Sequence, residues 1–262
     1  MGADLHHERF GEGPPLVAVH GLGSNLRVWR PIRERVGPHH ELIGVDLPGF
    51  GESKRPIGEP GVRPLVDALE AWLDEQGLEQ PHLTGFSMGG RIVLELAGRG
   101  RAASVAAISP AGFNSSHEKP FIQANLMTQR VITRRVAPVV DRLVATAPGR
   151  TALLTVAVAR PWQLTPDEAA NMVRDFAWSP GFRAAVRDAT WGEPEGIEQI
   201  TCPVTVLWGT RDLILPVSGA RGAERQLPQA RVERLPGLGH VPMFDDPDRT
   251  ASGVLEATGG ST

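Results

Sequence analysis

Apolar runs of four or five residues recur along the chain and predict buried strands. They occupy residues 16–19, 41–45, 105–108 and 204–208. Short continuous runs of this kind are typical of strands covered on both faces, as in parallel sheets. Residues 80–84 and 231–235 are predicted to form further strands. Residues 4–10, which end at a turn cluster of Gly and Pro, are predicted to form an edge hairpin.

Amphipathic segments separate these runs and predict helices. One begins at Pro64, and its apolar side chains recur at i, i+3, i+4, i+7 and i+8 from Leu65 to Leu73. Helices are also predicted within residues 25–36, 91–97, 217–227 and 248–257. Repeated strand–helix alternation with buried strands predicts an α/β fold with a mostly parallel sheet.

The pattern changes between residues 114 and 191, where no strand-like run occurs. Helix-like pieces are punctuated there by prolines at positions 120, 138, 148, 161, 166 and 180. We expect a helical cap inserted between the sixth and seventh strands of the sheet. The predicted organisation is therefore a core of residues 1–113 and 191–262, interrupted by a cap of residues 114–190.

A serine between glycines stands at a strand-to-helix corner, in the stretch Gly85-Phe86-Ser87-Met88-Gly89-Gly90. This matches the G-x-S-x-G nucleophile elbow, whose glycines relieve crowding around a strained serine. A serine hydroxyl is a weak nucleophile, so Ser87 needs a base and the base needs an orienting acid. His240 follows the last strand and Asp212 follows the strand before it. All three groups are expected at the carboxyl edge of the sheet, where α/β proteins bind ligands.

With these motifs the chain resembles the α/β-hydrolase fold superfamily, of the capped serine hydrolase or esterase type. The resemblance rests on residues 20–23, 46–53, 85–90, 208–212 and 239–240, in that order. It implies a doubly wound, mostly parallel sheet of eight strands. It also implies that Ser87 is the nucleophile, His240 the general base and acid, and Asp212 the orienting carboxylate. The oxyanion hole would be formed by the backbone N–H groups of Leu22 and Met88.

The cap is expected to determine the substrate, because it leaves and rejoins the sheet at the active edge. Apolar side chains expected around the pocket are Phe86, Phe113, Trp162, Trp178 and Met243. They would suit a small to medium, largely apolar acyl group or cyclic compound.

Two arginines of the cap, Arg130 and Arg134, are spaced i, i+4 and share a helix face. A solvated face explains them most simply. A substrate that carries a carboxylate, or one bound to a carrier protein, is the alternative.

Several other polar residues are expected to have structural roles. His20 is expected to hydrogen-bond within its own loop, and Asp46 to be a turn aspartate. Asp245 and Asp246 are expected to cap the last helix or face solvent. Cys202 is expected to be a small core residue.

Composition narrows the choice of partners. A net charge of −3 gives no general attraction to nucleic acid or to anionic membranes. One cysteine excludes an intramolecular disulfide, and the histidines lack partners at metal-ligand spacing. Gly21-Leu22-Gly23 lacks the third glycine of a dinucleotide fingerprint, so no cofactor is expected. With no secretory signal recognised, we expect a cytoplasmic monomer or homodimer that acts on a small molecule.

The leading functional hypothesis is a serine hydrolase that cleaves a carboxylic ester through an acyl-enzyme. Hydrolysis of a C–C bond in vinylogous diketones is an alternative, although Phe86 stands where such enzymes commonly have Asn. Cofactor-free haloperoxidase or perhydrolase activity is also compatible with the elbow. Dehalogenation and epoxide hydrolysis are disfavoured, because those reactions place Asp where Ser87 stands. A non-catalytic ligand-binding protein on the same fold is the remaining class.

Overall fold

The computed structural model describes residues 4–53 and 61–260. The outer ends of the predicted core, residues 1–3 and 261–262, and residues 54–60 lie outside this described part. Within it, seven strands form one sheet in the order β1-β3-β2-β4-β5-β6-β7. The strands are β1 His7–Phe10, β2 Pro15–Val19, β3 Glu41–Val45, β4 His82–Phe86, β5 Ser104–Ile108, β6 Val204–Gly209 and β7 Arg231–Leu235. Only β1 runs antiparallel to its neighbour, β3, so the predicted mostly parallel α/β fold is confirmed.

The strand count differs from the expected eight within the described residues. The amino-terminal segment supplies one strand, β1, which pairs with β3 instead of folding into a hairpin. Residues just before β1 make single contacts with the loop after β3, such as the bond from the Asp46 N–H to the His6 carbonyl oxygen. The cap therefore follows the fifth strand of the described sheet and precedes the sixth.

Helices pack on both faces of the sheet. In the first part of the core, a 3₁₀ segment Leu26–Ile32 leads into α1 Arg33–Val36, and α2 Arg63–Glu75 and α3 Met88–Gly98 follow. The cap contains α4 Lys119–Val136, α5 Val140–Val144, α6 Ala147–Leu154, α7 Pro166–Trp178 and α8 Phe182–Trp191. In the last part of the core are α9 Ser218–Gln226, α10 Pro242–Asp245 and α11 Pro247–Thr258. No helix of the described residues is both long enough and apolar enough to cross a lipid bilayer.

The strands are buried as their apolar runs predict. Every residue of β5 and β6 is buried, as are all but the first residue of β2, β3 and β4. The apolar stripe of α2 also faces inward, with Trp72 among the largest buried side chains. Each fully buried large aliphatic or aromatic side chain contributes about 1.5–3 kcal/mol to the stability of the fold. The sheet is therefore a rigid support for the loops at its carboxyl edge.

Charged and polar contacts fasten the cap to the core. Arg91 of α3 is buried, pairs with Glu95 and donates from Nη1 to the carbonyl oxygen of Asp188 in α8 at 2.9 Å. Arg27 donates from Nη2 to Asp175 Oδ1 of α7 at 2.6 Å. Removing one partner of a buried or half-buried charged pair destabilises the folded protein. These contacts therefore hold α7 and α8 in place over the core.

Two histidines at the opposite edge of the sheet predict a pH-dependent stability. His40 and His82 stack edge-on at 5.1 Å, and burial lowers the pKa of both imidazoles. The unfolded chain therefore binds more protons than the folded one below about pH 6.5. The free energy of unfolding is expected to keep its full value above about pH 6.5 and to decrease as the pH falls below it. The loss is at most about 1.4 kcal/mol per pH unit for each histidine.

Urea denaturation at pH 7.5, 6.0 and 5.0 measures this effect. The double variant His40→Gln/His82→Gln is expected to reduce the pH dependence of the free energy of unfolding. His117→Gln, at an exposed position of the cap, should leave that pH dependence unchanged. An equal slope in wild type and double variant would contradict the assignment.

Candidate active site

The turn between β4 and α3 holds Ser87 in a strained backbone conformation. Its φ is 57° and its ψ is −118°, a region that residues with a Cβ rarely adopt. Glycines make room for this turn. A Cβ on Gly85 would collide with the Gly89 carbonyl oxygen, and a Cβ on Gly89 would collide with the carbonyl oxygens of Val19 and His20. The turn thus presents the Ser87 side chain above the sheet edge, as the G-x-S-x-G pattern predicts.

Backbone hydrogen bonds fix the turn from both sides. The Ser87 N–H donates to the Ile108 carbonyl oxygen at 2.8 Å, and the Ser87 carbonyl oxygen accepts from the Ala111 N–H at 3.0 Å. Helix α3 begins at the next residue, Met88, so its N-terminal partial positive charge lies at the serine.

His240 lies on the loop after β7 and contacts the serine. Its Nε2 is 3.1 Å from Ser87 Oγ, and its ring packs against Phe86 with centroids 4.9 Å apart. The imidazole is almost fully buried, so the surrounding side chains restrict its orientation. Since Nδ1 faces a carboxylate, we assign the proton to Nδ1, which leaves Nε2 free to accept from the serine hydroxyl.

Asp212 lies on the loop after β6 and completes the row. Its Oδ2 is 2.7 Å from His240 Nδ1, while its Oδ1 accepts from the N–H groups of Ile214 and Leu215. The indole of Trp208, fully buried in β6, donates to the Leu215 carbonyl oxygen and holds this turn. The three residues singled out from the sequence therefore lie in one hydrogen-bonded chain, at the ends of three different strands.

The loop after β2 lies beside the elbow, because β2 and β4 are adjacent, with Val19 opposite Gly85. His20 is buried in this loop. Its Nδ1 is 2.8 Å from the Gly21 carbonyl oxygen, and its Nε2 accepts from the Leu47 N–H. Burial lowers the pKa of its imidazole, consistent with a neutral structural histidine.

Two backbone N–H groups are available near the serine. Those of Leu22 and Met88 donate to no protein group in the described part of the chain, and both residues line the cavity that contains Ser87. Unpaired N–H groups at such a position can receive an oxyanion. Asp46 supports the same region, since its carboxylate accepts from the N–H groups of Leu26 and Glu52, the structural role expected for it.

A cavity of about 250 Å³ opens onto Ser87 and His240. Core and cap both line it, and its surface is mostly apolar. The cap contributes residues from α4, α6, α7 and α8, including Ile122, Leu126, Leu154, Met172, Val173 and Phe176.

Only Phe86 of the five expected pocket residues lines this cavity. Phe113 and Met243 are buried in the core, whereas Trp162 and Trp178 lie on the outer surface of the cap, with 48% and 58% of their surfaces exposed. These four assignments were wrong. For Trp162 and Trp178, the sequence does not tell the inner side of a short cap segment from its outer side. Phe113 and Met243 lie outside the cap, and their side chains pack into the core beside the sheet. The lining comes instead from smaller aliphatic residues and Phe176.

Comparison with known proteins places the chain in a family. The family model described as "alpha/beta hydrolase fold" matches residues 14–247, which is most of the chain. The chain belongs to the alpha/beta hydrolase family. The resemblance inferred from the five motifs is therefore confirmed.

Relatives of this alpha/beta hydrolase differ in their reported roles. It is 29% identical over 95% of its length to the dihydrolipoyllysine-residue acetyltransferase component of an acetoin cleaving system from Pseudomonas putida, and it spans 64% of that longer protein. It is 24% identical, over 99% of its length and all of the relative, to a pimeloyl-[acyl-carrier protein] methyl ester esterase from Vibrio vulnificus. Among solved structures, a thermophilic esterase from Thermogutta terrifontis superposes with a TM-score of 0.73 at 24% identity, covering 96% of this chain and 92% of the other; at this identity the match shows the fold alone.

The cap arginines of this alpha/beta hydrolase are engaged within the cap. Arg130 is buried, donates to the carbonyl oxygens of Phe176 and Ser179, and lies 4.6 Å from the ring of Phe182. Burial, with the charge of Arg134 nearby, lowers the pKa of Arg130 to about 10. Arg134 donates to the Ala177 carbonyl oxygen. Both side chains therefore satisfy the C-terminal carbonyls of α7, and the solvated face expected for Arg130 was wrong.

Two features of the site have no signal in the sequence alone. Asp175 reaches the cavity wall from α7 and pairs with Arg27 of the core, and burial raises the pKa of its carboxyl group.

Asp245 was expected to cap the last helix or face solvent, but it is buried and accepts from backbone N–H groups of the His240 loop and of the cap. Asp246 takes the capping role, accepting from the Arg249 N–H. In the sequence, two adjacent aspartates before a proline look alike. No group of three potential metal ligands occurs among the described residues.

Proposed function

We propose that the protein is a serine hydrolase that cleaves a carboxylic ester of a small to medium, largely apolar substrate through an acyl-enzyme. The observation that carries the proposal is the chain Asp212–His240–Ser87, with contacts of 2.7 and 3.1 Å, at the wall of an apolar cavity. A nucleophile, a base and an orienting acid in hydrogen-bonding sequence are the parts that acyl transfer needs.

In the first half of the reaction, Ser87 Oγ attacks the carbonyl carbon of the ester and its proton passes to His240 Nε2. The carbonyl oxygen becomes an oxyanion that accepts hydrogen bonds from the N–H groups of Leu22 and Met88. Asp212 stabilises the imidazolium ion through Nδ1. When the intermediate collapses, the ester C–O bond breaks and His240 gives its proton to the departing alkoxide, which leaves as the alcohol.

In the second half, water replaces the alcohol. His240 Nε2 removes a proton from the water as its oxygen attacks the acyl carbon, and the same two N–H groups receive the second oxyanion. Collapse breaks the bond to Ser87 Oγ, which takes the proton back from His240. The carboxylic acid leaves, and the site returns to its starting protonation state.

The cavity supports the substrate size. At about 250 Å³ it lies just below the ~300–1,000 Å³ of pockets for drug-sized ligands. Its lining is mostly aliphatic and aromatic. Of its charged members, Arg27 pairs with Asp175, Arg30 pairs with Glu8, and Glu168 takes part in the capping box of α7. An uncharged acyl group of modest length fits this description better than a polar one.

Ester assays and active-site labelling test this function. We expect a fluorophosphonate probe to attach to the peptide that contains Ser87, as mapped by mass spectrometry. Along a series of p-nitrophenyl esters, kcat/KM should peak at acyl chains of about four to eight carbons and fall for those of about 12 or more. The absence of both labelling and turnover would contradict the proposal and favour a non-catalytic ligand-binding protein.

An ester carried by an acyl carrier protein is a narrower form of the same proposal, prompted by the Vibrio vulnificus relative. Arg130 does not support it, because that side chain is buried against α7. Arg135 and Arg142 are exposed on the cap and pair with no carboxylate of the described residues, so they are the better candidates for such a contact. A methyl ester offered free and attached to a carrier protein distinguishes the two forms.

A further inference from the structure

Asp245 is a buried carboxylate outside the Asp212–His240–Ser87 chain, and three backbone N–H groups converge on it. Its Oδ2 accepts from Gly239 at 2.7 Å and from Ala159 at 3.1 Å, and its Oδ1 accepts from Arg160 at 2.8 Å. Gly239 immediately precedes His240, whereas Ala159 and Arg160 belong to the cap between α6 and α7. One side chain thus joins the loop of the candidate base to the cap.

A second hydrogen bond joins the same two segments on the other side of the histidine. The Val241 N–H donates to the Ala157 carbonyl oxygen at 3.0 Å. The backbone of His240 is therefore held on both sides, through Gly239 and through Val241, by contacts that involve cap residues 157–160. Gly239 is also closely packed, since a Cβ there would lie 2.8 Å from the Ala159 nitrogen and 3.1 Å from Asp245 Oδ2.

The cap segment that makes these contacts also touches the catalytic cavity. Val156 and Ala157 line it together with Ser87 and His240. A ligand that fills the cavity therefore presses on residues adjacent to those that hold the histidine loop.

We propose that Asp245 is a positioning residue that locks His240 to the cap, so that the cap sets the position of the general base as well as the shape of the pocket. This inference rests on the proposed hydrolase function. The chemistry requires a carboxylate, because both oxygens act as acceptors and together they receive three donors. Asparagine offers one oxygen only, and its amide group would direct N–H bonds at N–H donors.

The variant Asp245→Asn tests the lock. A displacement of the base by about 1 Å is expected to lower kcat by about 100-fold. KM is expected to stay within about threefold, because no side chain that lines the cavity is replaced. Asp245→Glu keeps an anionic acceptor and should retain more kcat than Asp245→Asn. The matched control is Asp246→Asn, which removes the same charge from the neighbouring residue while its amide oxygen can still accept the capping bond from the Arg249 N–H, and its kcat should stay within about threefold of wild type.

Stability alone does not account for the expected pattern. Rates are measured well below the unfolding midpoint of each variant and divided by the folded fraction. If Asp245→Asn does not fold, Gly239→Ala provides the second test, since it leaves Asp245 in place and wedges the histidine loop away from Ala159. It should lower kcat with little change in KM.

The result that overturns the proposal is a kcat for Asp245→Asn within threefold of wild type, or a loss confined to KM. For Gly239→Ala the same two results count against it. Failure of the proposed function has a different signature, because then the wild-type protein itself neither hydrolyses esters nor reacts with the fluorophosphonate probe.

Discussion

Replacing Ser87 with alanine is expected to lower kcat for ester hydrolysis by about 10⁶-fold, the loss seen when a triad serine is removed. Ser87 Oγ is the only nucleophilic atom that His240 Nε2 contacts in the described residues, at 3.1 Å. Alanine keeps the Cβ, so the strained turn at φ 57° gains no new strain and the fold should persist. Steady-state kinetics with a p-nitrophenyl ester and fluorophosphonate labelling measure the effect.

Ser109 provides a matched control for this experiment. It follows β5 beside the elbow, has a positive φ of 41° and carries a buried hydroxyl without a hydrogen-bond partner in the described residues. Ser109→Ala should retain wild-type labelling and turnover. If Ser87→Ala kept more than about 1% of the wild-type kcat, a different nucleophile would be at work.

Replacing Asp212 with asparagine is expected to lower kcat by about 10⁴-fold near neutral pH. The backbone N–H groups of Ile214 and Leu215 already donate to Oδ1, so the amide oxygen of the variant takes that side. Its NH₂ group then faces His240 Nδ1, at the place of the present 2.7 Å contact. The imidazole is forced to carry its proton on Nε2, where it cannot accept the proton of Ser87.

The control for Asp212→Asn is Asp175→Asn, at a partly buried aspartate of the cavity wall that contacts Arg27 and not His240. It should change kcat by less than about tenfold. Profiles of kcat/KM between pH 6 and 10 are measured for both variants. A small effect of Asp212→Asn, comparable to that of Asp175→Asn, would show that the orienting acid has been misassigned.

The sheet and the hydrogen-bonded row Asp212–His240–Ser87 follow from local sequence because each has a strong physical signature. Continuous apolar runs such as residues 204–208 have few alternatives to a buried strand, and β6 is buried along its whole length. The elbow is recognisable because its backbone geometry tolerates only glycine at positions 85 and 89. Once the strand order is known, Asp212 and His240 follow as the polar residues at the ends of the last two parallel strands.

The cap does not follow from local sequence, and the reason is geometric. Its helices are short and amphipathic, so a single apolar residue fits equally well against the core, in the cavity or on the surface. Trp162 and Trp178 illustrate this, since size and hydrophobicity predicted a lining position and both lie outside. Arg130 shows the converse, because its charge predicted exposure and the carbonyls at the end of α7 draw it inward. Asp245 depends on contacts 85 and 86 positions away in sequence, with Arg160 and Ala159.

The two ends of the cap lie side by side. The Lys119 Nζ at the start of α4 donates to the carbonyl oxygen of Trp191, the last residue of α8, at 3.2 Å. An insertion whose ends meet in this way can grow, shrink or be exchanged during evolution without moving the strands that flank it. The cap is thus a replaceable module, and substrate range can diverge while the sheet below is inherited unchanged. Contacts such as those of Asp245 limit that freedom, because every new cap must still present a segment that fits the histidine loop.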